Sequence, residues 1–426
     1  RHVMRAVRHP RLDWPNALRL GDFLFKLGEF EGAGQVLGGC LERGQVSYDA
    51  LLTLSATQFK LGQTASARWN LAAAGWLRPI TRPNRILAGK PNILRLRSLV
   101  GCIRDIRNES RGVYSHKLVG GHFALNNFLG RGGYNIFGAD YAGGNLVLTD
   151  DIPPCQLAIN TVSCADLMSG PLEGIAHFLE SYPNLPVINS PARVLETTRE
   201  RNYQRLDGLP GVKFPRTVRI VNDGSPAEVR ERLESEGLGY PVILREVGTQ
   251  SGKTVGLLNT PEAVETYLGQ TPLGANLYAI AFVDCRGEDG HYHKIRCFFI
   301  DGKFYPVACL TNDVWQIHSG DRYRVMSQSQ AAQEMEQSYL AYPEKFLGEK
   351  AFAALGHIAR VIDLDFFGID FARDGDGGVL VFEANAAMRH NFDHARNFPY
   401  TEPHLRRVSE AMQRMLIDRI NSAAAR

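Results

Sequence analysis

The chain has no marked excess of charge, no long apolar run and no clustered cysteines, and each shortage removes a class of protein. Among 426 residues, 48 Lys and Arg face 45 Asp and Glu, a formal net charge of +3. So small a surplus on so long a chain leaves no footprint for nucleic acid. No apolar stretch approaches the ~20 residues that span a bilayer. Arginines near the start have no apolar segment behind them, unlike a secretory signal. Seven cysteines, at 40, 102, 155, 164, 285, 297 and 309, are odd in number and never spaced Cys-x-x-Cys. That scatter suits a reducing cytoplasm and not a disulfide framework. The twelve histidines show no zinc-type spacing. What remains, 44% apolar and 22% charged residues, is the composition of a soluble globular protein. The length is room for roughly two to four domains.

Phe25-Lys26-Leu27-Gly28 recurs 34 residues later as Phe59-Lys60-Leu61-Gly62, and Leu18, Leu20, Ala33 and Leu37 recur as Leu52, Leu54, Ala67 and Leu71. A period of that length with helical spacing and Leu-Gly at the turn resembles the tetratricopeptide repeat. Residues 1–90 are therefore assigned to an all-α module. Two units rarely bury enough surface alone, so the module is expected to lean on a third helix or on the next domain. It serves either as a groove for a peptide or carrier protein or as a helical prop. Pro79, Pro83 and Pro91 mark residues 78–95 as a linker, because the residue before proline avoids the helical region. Residues 93–190 alternate apolar runs (146–148, 157–159, 187–188) with a helix at 172–182, the pattern of a small α/β layer with a partly parallel sheet. Residues 191–426 are richer in hairpins, with strands expected at 217–221, 241–246, 254–258, 277–283, 293–300 and 303–308. Asp301-Gly302 is a tight hairpin turn. Helices are expected at 347–362 and 402–420.

Near the C-terminus Phe366–Phe371 and Val379–Asn385 alternate as two half-buried strands around the turn-forming Asp374–Gly378. A four-residue loop at 375–378 pairs Ala372 with Val381 and Asp370 with Glu383. Phe367, Ile369 and Phe371 then share one face, as do Leu380, Phe382 and Ala384, leaving Asp370, Glu383 and Asn385 opposite. Directly opposed like charges destabilise a sheet, and a cation between them removes the penalty. Two carboxylates with an amide oxygen suit Mg2+; a solvated acidic face is the plain alternative. Upstream, the strand Pro241–Arg245 delivers a guanidinium to a loop, Val247–Lys253, whose glycines allow backbone N–H groups close to an anion. Gly-Lys-Thr at 252–254 is not a P-loop: Gly248 and Gly252 enclose three residues rather than four, and strand follows where a helix is needed. A hairpin loop folding over a nucleotide, or an ordinary turn, remains. On 293–300, Lys294, Arg296 and Phe298 share a face, and the two cations suit phosphate or carboxylate oxygens. Arg199 and Arg201 sit on a helix where plain surface charge is also an adequate account.

This order of parts resembles the ATP-grasp superfamily, particularly the branch of glutathione synthetase and the ribosomal-protein glutamate ligases, over residues 110–420. The matching pieces are Asn189-x-Pro191, Phe214-Pro215-x-Thr217, Pro241–Arg245, the small-residue loop, Arg296 ahead of a hairpin, and Gly368-x-Asp370 with Glu383-x-Asn385. The resemblance implies an α+β fold in which two α+β subdomains (191–426) grip ATP, preceded by a small α/β domain (93–190) and, here, by the all-α module. It implies that Asp370, Glu383 and Asn385 hold two Mg2+, with Mn2+ an alternative, against the β- and γ-phosphates. Arg245 and Arg201 stand where phosphate-contacting lysines are usual. Gly248, Ser251, Gly252 and Lys253 form the loop over the phosphates. Phe282, Val283 and Asp284 end the hinge strand beside adenine, with Ala281 where an acid is common. Arg296 and Lys294 face the transferred phosphoryl group or a carboxylate substrate. Arg389, with His390, His394 and Arg396, follows the metal motif where substrate groups would lie, and His318 and Arg322 are further candidates. The implied reaction joins a carboxylate to an amine through an acylphosphate, on a small-molecule, peptide or carrier-bound substrate. A kinase using the same nucleotide site, or a non-catalytic ATP-binding protein, stays open.

Overall fold

The 34-residue offset is realised as two successive helix pairs: α1 (Trp14–Leu27) and α2 (Phe30–Glu42), then α3 (Tyr48–Lys60) and α4 (Thr64–Leu77). The repeated glycines explain the turns. Gly28 and Gly62 both adopt left-handed φ, +82° and +76°, which only glycine enters without strain. This computed structural model describes residues 14–110, 113–123, 125, 128–129, 133–144, 146, 148, 152–249 and 254–424.

Segment 78–95 is not wholly a linker. Within it β1 (Ile80–Thr81) already belongs to the next sheet, and β2 (Asn92–Ser98) begins. A hairpin, β3 (Ile103–Ser110) and β4 (Val113–Val119), then returns to the helices. There Ile106 and Tyr114 pack among Ala33, Val36 and Phe25, and Lys60 reaches Asp105 at 2.6 Å. The module leans on this hairpin, and α4 places Leu71 and Ala74 in the main core with Leu94 and Leu96 of β2. β5 (Asn135–Tyr141), β6 (Leu157–Asn160) and β7 (Val187–Ile188) complete a sheet ordered β1-β5-β2-β6-β7, parallel apart from β1. α5 (Ser169–Glu180) packs on it. Leu146 and Leu148 lie in no strand, contrary to expectation, and Val147 lies outside the described residues.

The rest is two further sheets. α6 (Arg199–Leu206) and β8 (Val212–Lys213) lead to β9 (Thr217–Val221), α7 (Pro226–Ser235), β10 (Val242–Glu246), β11 (Gly256–Leu258), α8 (Ala263–Gly269) and β12 (Asn276–Ala281). These strands form a four-stranded antiparallel sheet, β11-β10-β12-β9, over a small core with α7 and α8. β13 (Tyr292–Ile300), β14 (Lys303–Asn312), β15 (Phe366–Arg373) and β16 (Val379–Asn385) form the last sheet, ordered β14-β13-β15-β16-β8. α9 (Gln330–Ala341) and α10 (Glu349–Ile362) cover one face of it, and α11 (Glu402–Ala424) covers the other. The architecture is α+β. Among the described residues no helix is long and apolar enough to cross a membrane.

Asn189, the first residue of the Asn-x-Pro motif, ties the first sheet to the last. Its Nδ2 donates to the Phe366 carbonyl at 2.7 Å, and Phe366 N–H returns a bond to its Oδ1 at 2.9 Å. The acidic hairpin is anchored through its turn as well, since Val379 N–H donates to Gly211 O at 2.9 Å. A Cβ on Gly378 would fall 2.3 Å from that same carbonyl oxygen, which is backbone and has little room to yield. Gly378→Ala should therefore cost about 1–3 kcal/mol of stability. Its urea midpoint should fall accordingly, and an unchanged midpoint would contradict this packing.

Candidate active site

Two walls of alternating side chains face each other across a cavity of about 680 Å³. On the four-stranded sheet Val242, Leu244, Leu277 and Ala279 point into the small core, so Ile243, Arg245, Tyr278 and Ile280 project from the opposite face. Pairing aligns Ile243 with Ile280 and Thr217, and Arg245 with Tyr278 and Arg219. One row of this wall is largely apolar and the other carries the guanidinium groups. Phe282 and Val283 continue the apolar end beyond β12, and Trp315 lies edge-on to Phe282 with ring centroids 5.7 Å apart.

On the facing sheet Arg296, Asp370 and Glu383 are direct neighbours across three adjacent strands. The expected opposition of Asp370 and Glu383 holds, but by another route. The turn runs over 374–378, one residue longer than expected, so Ala372 pairs with Leu380 and not with Val381. A bulge at Phe382 then restores the register. It also changes the faces: Val379, Val381 and Ala384 point into the core, while Leu380, Phe382, Glu383 and Asn385 line the cavity. The Phe382 carbonyl accepts a bond from Arg199 Nη1. Asn202, one helical turn on, donates to Ala384 O at 2.7 Å.

Helical phase thus brings Arg199 to the cavity and turns Arg201 away. Arg201 bonds Glu196 at 2.7 Å and the Leu195 carbonyl at 3.0 Å on the outer surface. Its expected place is taken by Arg199, whose Nη2 lies 3.6 Å from Glu383 Oε1. Asp284 is also outside the lining; it is exposed and accepts the Arg286 N–H at 3.2 Å. Lys294, Arg296, Arg245, Phe282, Val283, Asp370, Glu383, Asn385 and Arg389 all line the cavity. Arg389 does so at the rim, paired with Asp393 at 2.7 Å. Gly248 (φ +75°) borders a smaller adjoining hollow with Arg199, Arg245, Glu383 and Ser163. Arg245 Nη2 donates to Thr249 O at 2.5 Å, and Thr249 and Thr254 hydroxyls meet at 2.8 Å. β10 pairs antiparallel with β11, so a strand and not a helix stands at Gly256–Leu258. Ser251, Gly252 and Lys253 lie outside the described residues.

Asp370 is buried and held at both oxygens by Arg296, Nε to Oδ1 at 2.6 Å and Nη2 to Oδ2 at 2.7 Å. Lys294 Nζ is 4.0 Å from Oδ2 and donates to the Ile317 carbonyl. Burial pushes the Asp370 carboxyl up, but Arg296 and Lys294 outweigh it and hold it below the usual range. Burial lowers Lys294 despite Asp370. Burial, reinforced by Arg199, lowers Arg245 to about 10. His394 lines the cavity and is pushed by burial and Arg322 to about 4, so its imidazole is neutral near pH 7. His390 stacks on Phe128 and bonds Ser409 at 3.0 Å, a packing role. Arg322 is committed to buried Glu336 and His318 lines the rim, whereas Arg396 is exposed and outside the lining.

A fit to a hard divalent cation rests on Glu383 and Asn385. Glu383 is 40% exposed toward the cavity, its Oε1 accepting the Asn385 Nδ2 amide at 2.6 Å, while Asn385 Oδ1 accepts the Ala387 N–H at 2.9 Å. Oxygen donors of this kind suit Mg2+, which takes its other ligands from water and phosphate. Among the described residues no three His, Cys, Asp or Glu side chains cluster as a metal site. Sequence reasoning missed a second charged cluster. Tyr278 Oη bonds Asp166 at 2.5 Å, Glu200, and Arg219 at 2.8 Å. It ties the four-stranded sheet to α6 and to the loop after β6. The only local signal is Arg219, a polar residue within a short apolar strand.

No family model matches the chain. Over 155 residues it is 27% identical to the carbamoyl phosphate synthase large chain of Thermotoga neapolitana, a stretch covering 35% of this chain and 13% of that protein. The chain thus spans a small part of the length of this curated relative. Among solved structures, D-alanine–D-alanine ligase from Bacillus anthracis aligns with a TM-score of 0.43 at 12% identity, covering 78% of this chain and 98% of that one. A RimK domain ATP-grasp protein from Sphaerobacter thermophilus gives 0.40 at 14% identity, covering 75% and 99%.

The two arginines of α6 can be separated experimentally. Arg199→Ala leaves the Phe382 carbonyl without its partner and should cost about 1–2 kcal/mol. Arg201→Ala removes only exposed contacts and should stay within about 0.5 kcal/mol. Chemical denaturation of both variants checks the contrast, and equal losses would contradict it.

Proposed function

We propose that the chain is an ATP-dependent carboxylate–amine ligase with an ATP-grasp fold. One observation carries the reading: the row Arg296–Asp370–Glu383 on one sheet faces the Arg245 row of another across a cavity with an apolar end. The volume is that of a small-molecule site. Adenine would occupy the slot at Ile243, Ile280, Phe282 and Val283. The triphosphate would run toward Arg245, Arg199 and the hairpin loop at Gly248–Thr249. Arg296 and Lys294 would then face the γ-phosphoryl group, neutralising charge as it passes to a carboxylate oxygen. Such transfer is mainly positioning and electrostatics, and no protein nucleophile is required. An amine attacks the resulting acylphosphate and phosphate leaves. Glu383 and Asn385, with Asp370 beside them, would hold the Mg2+ that screens the phosphate oxygens. Neutral His394, lining the same cavity, is placed to accept the amine's proton.

The paired helices at a constant offset support a tetratricopeptide-like reading of the N-terminal module. Because α4 contributes to the main core, the module acts first as a prop of the catalytic part. Recruitment of a peptide or carrier-borne substrate would use its outer surface. The composition and the scattered free cysteines support a cytoplasmic setting.

A phosphate-release screen of carboxylate and amine pairs with Mg-ATP identifies the substrates. With 18O in the carboxylate, the ligase reading requires label in the released phosphate; a product that retains the phosphoryl group would establish a kinase instead. Glu383→Gln should lower ATP turnover by roughly 100-fold or more with an unchanged circular dichroism spectrum. Full turnover in that variant would remove the assignment.

A further inference from the structure

We infer that Tyr278, with Glu200, Asp166 and Arg219, is a positioning group that holds two arginines from separate segments together where a nucleotide's outer phosphates would lie. The inference rests on the nucleotide reading above. Arg245 comes from β10 and Arg199 from α6, and both line the same small hollow. Like charges brought that close repel, so their approach needs a tie between the two segments. Each arginine has a member of the Tyr278 cluster one step away. Tyr278 stands directly opposite Arg245 across the β10–β12 pair, and Glu200 follows Arg199 on α6. Tyr278 Oη bonds Glu200. Arg219, opposite Tyr278 on β9, donates to Glu200 Oε1 at 2.7 Å from Nη2 and 2.9 Å from Nε. A strand-to-helix tie thus runs alongside the arginine pair. Asp166 closes it from the loop after β6, 2.5 Å from Tyr278 Oη and 2.7 Å from Arg219 Nη2. Asp166 and Tyr278 also border the hollow itself, which is about 70 Å³.

The cluster supplies counter-charge as well. Burial and then Arg199 push Arg245 down, and Asp166 is among the groups that offset them. Burial, then Asp166 and Glu200, push the Tyr278 hydroxyl well above the usual phenol range, so it keeps its proton. Counted over these four side chains, one guanidinium meets two carboxylates, which leaves one negative charge behind the two arginines. An apolar contact would fasten the sheet at less desolvation cost.

Displacement of a fluorescent ADP analogue reads the affinities of AMP-PNP and AMP side by side. Tyr278→Phe keeps the buried ring and removes the hydroxyl. AMP-PNP should bind this variant roughly tenfold more weakly than wild type. AMP, which lacks the outer phosphates, should bind both alike. Should Tyr278→Phe not fold, Glu200→Gln, which keeps hydrogen-bonding atoms and removes one charge, carries the same expectation. Equal weakening of both nucleotides would make the cluster a structural tie only and overturn the inference, as would an unchanged AMP-PNP affinity in a folded variant; either result leaves the ligase reading intact. Failure of the ADP analogue to bind the wild type would overturn that reading, and this inference with it.

Discussion

The ion pair between cavity-lining Arg296 and buried Asp370 is the constraint around which the site is organised. Asp370 lies in the middle of a strand whose other residues fill two cores, and its neighbour on β16 is another acid. A lone buried carboxylate is costly, as are two opposed acids. The guanidinium on the third strand answers both. It lets β13, β15 and β16 stay paired through a polar centre while Ile295, Cys297 and Phe299 pack on one side and Phe298 and Phe366 on the other. Breaking the pair would leave the buried Asp370 carboxylate with Lys294, 4.0 Å away, as its remaining ion-pair partner among the described residues. The same contact thus stabilises the sheet and sets the electrostatics of the cavity.

Local pattern made much of this legible. Strand periodicity in 217–221 and 303–308, the helix at 402–420, and the Asp301-Gly302 turn all follow from residue types within a few positions of one another. So does the helical offset, because Gly28 and Gly62 meet the same backbone requirement. The opposition of Asp370 and Glu383 was also readable, although two departures that cancel produce it. Illegible were features set by the packing of separate segments. Nothing near Arg199 or Arg201 states which faces β16, since the phase of α6 is fixed by Asn202 and by the carbonyl freed at Phe382. The Tyr278 cluster draws on four stretches scattered over 113 positions, from Asp166 to Tyr278, with no shared periodicity. Asp284 could pass for a nucleotide contact because the sequence does not show that β12 ends at Ala281.

The two walls are held in different ways. The last sheet is backed by helices on one face, shares its other between α11 and the cavity, and is fixed by Asn189 to the first sheet. The four-stranded sheet has its own small core and is joined to the rest largely by polar groups at Tyr278. The acids and Lys294 belong to the sheet shared with the main core, and Arg245 to the sheet with its own small core.

The turn and bulge of the acidic hairpin are a matched set of length changes. Straight pairing from Arg373 and Val379 onward would bring Phe382 opposite Asp370 and swing Glu383 toward the hydrocarbon interior. Inserting or deleting one residue in the loop at 374–378 would act on the site like a reading-frame error, with its damage about four residues away. Loop grafting on this scaffold must therefore conserve length there, and with it the glycine at 378 that packs against the Gly211 carbonyl.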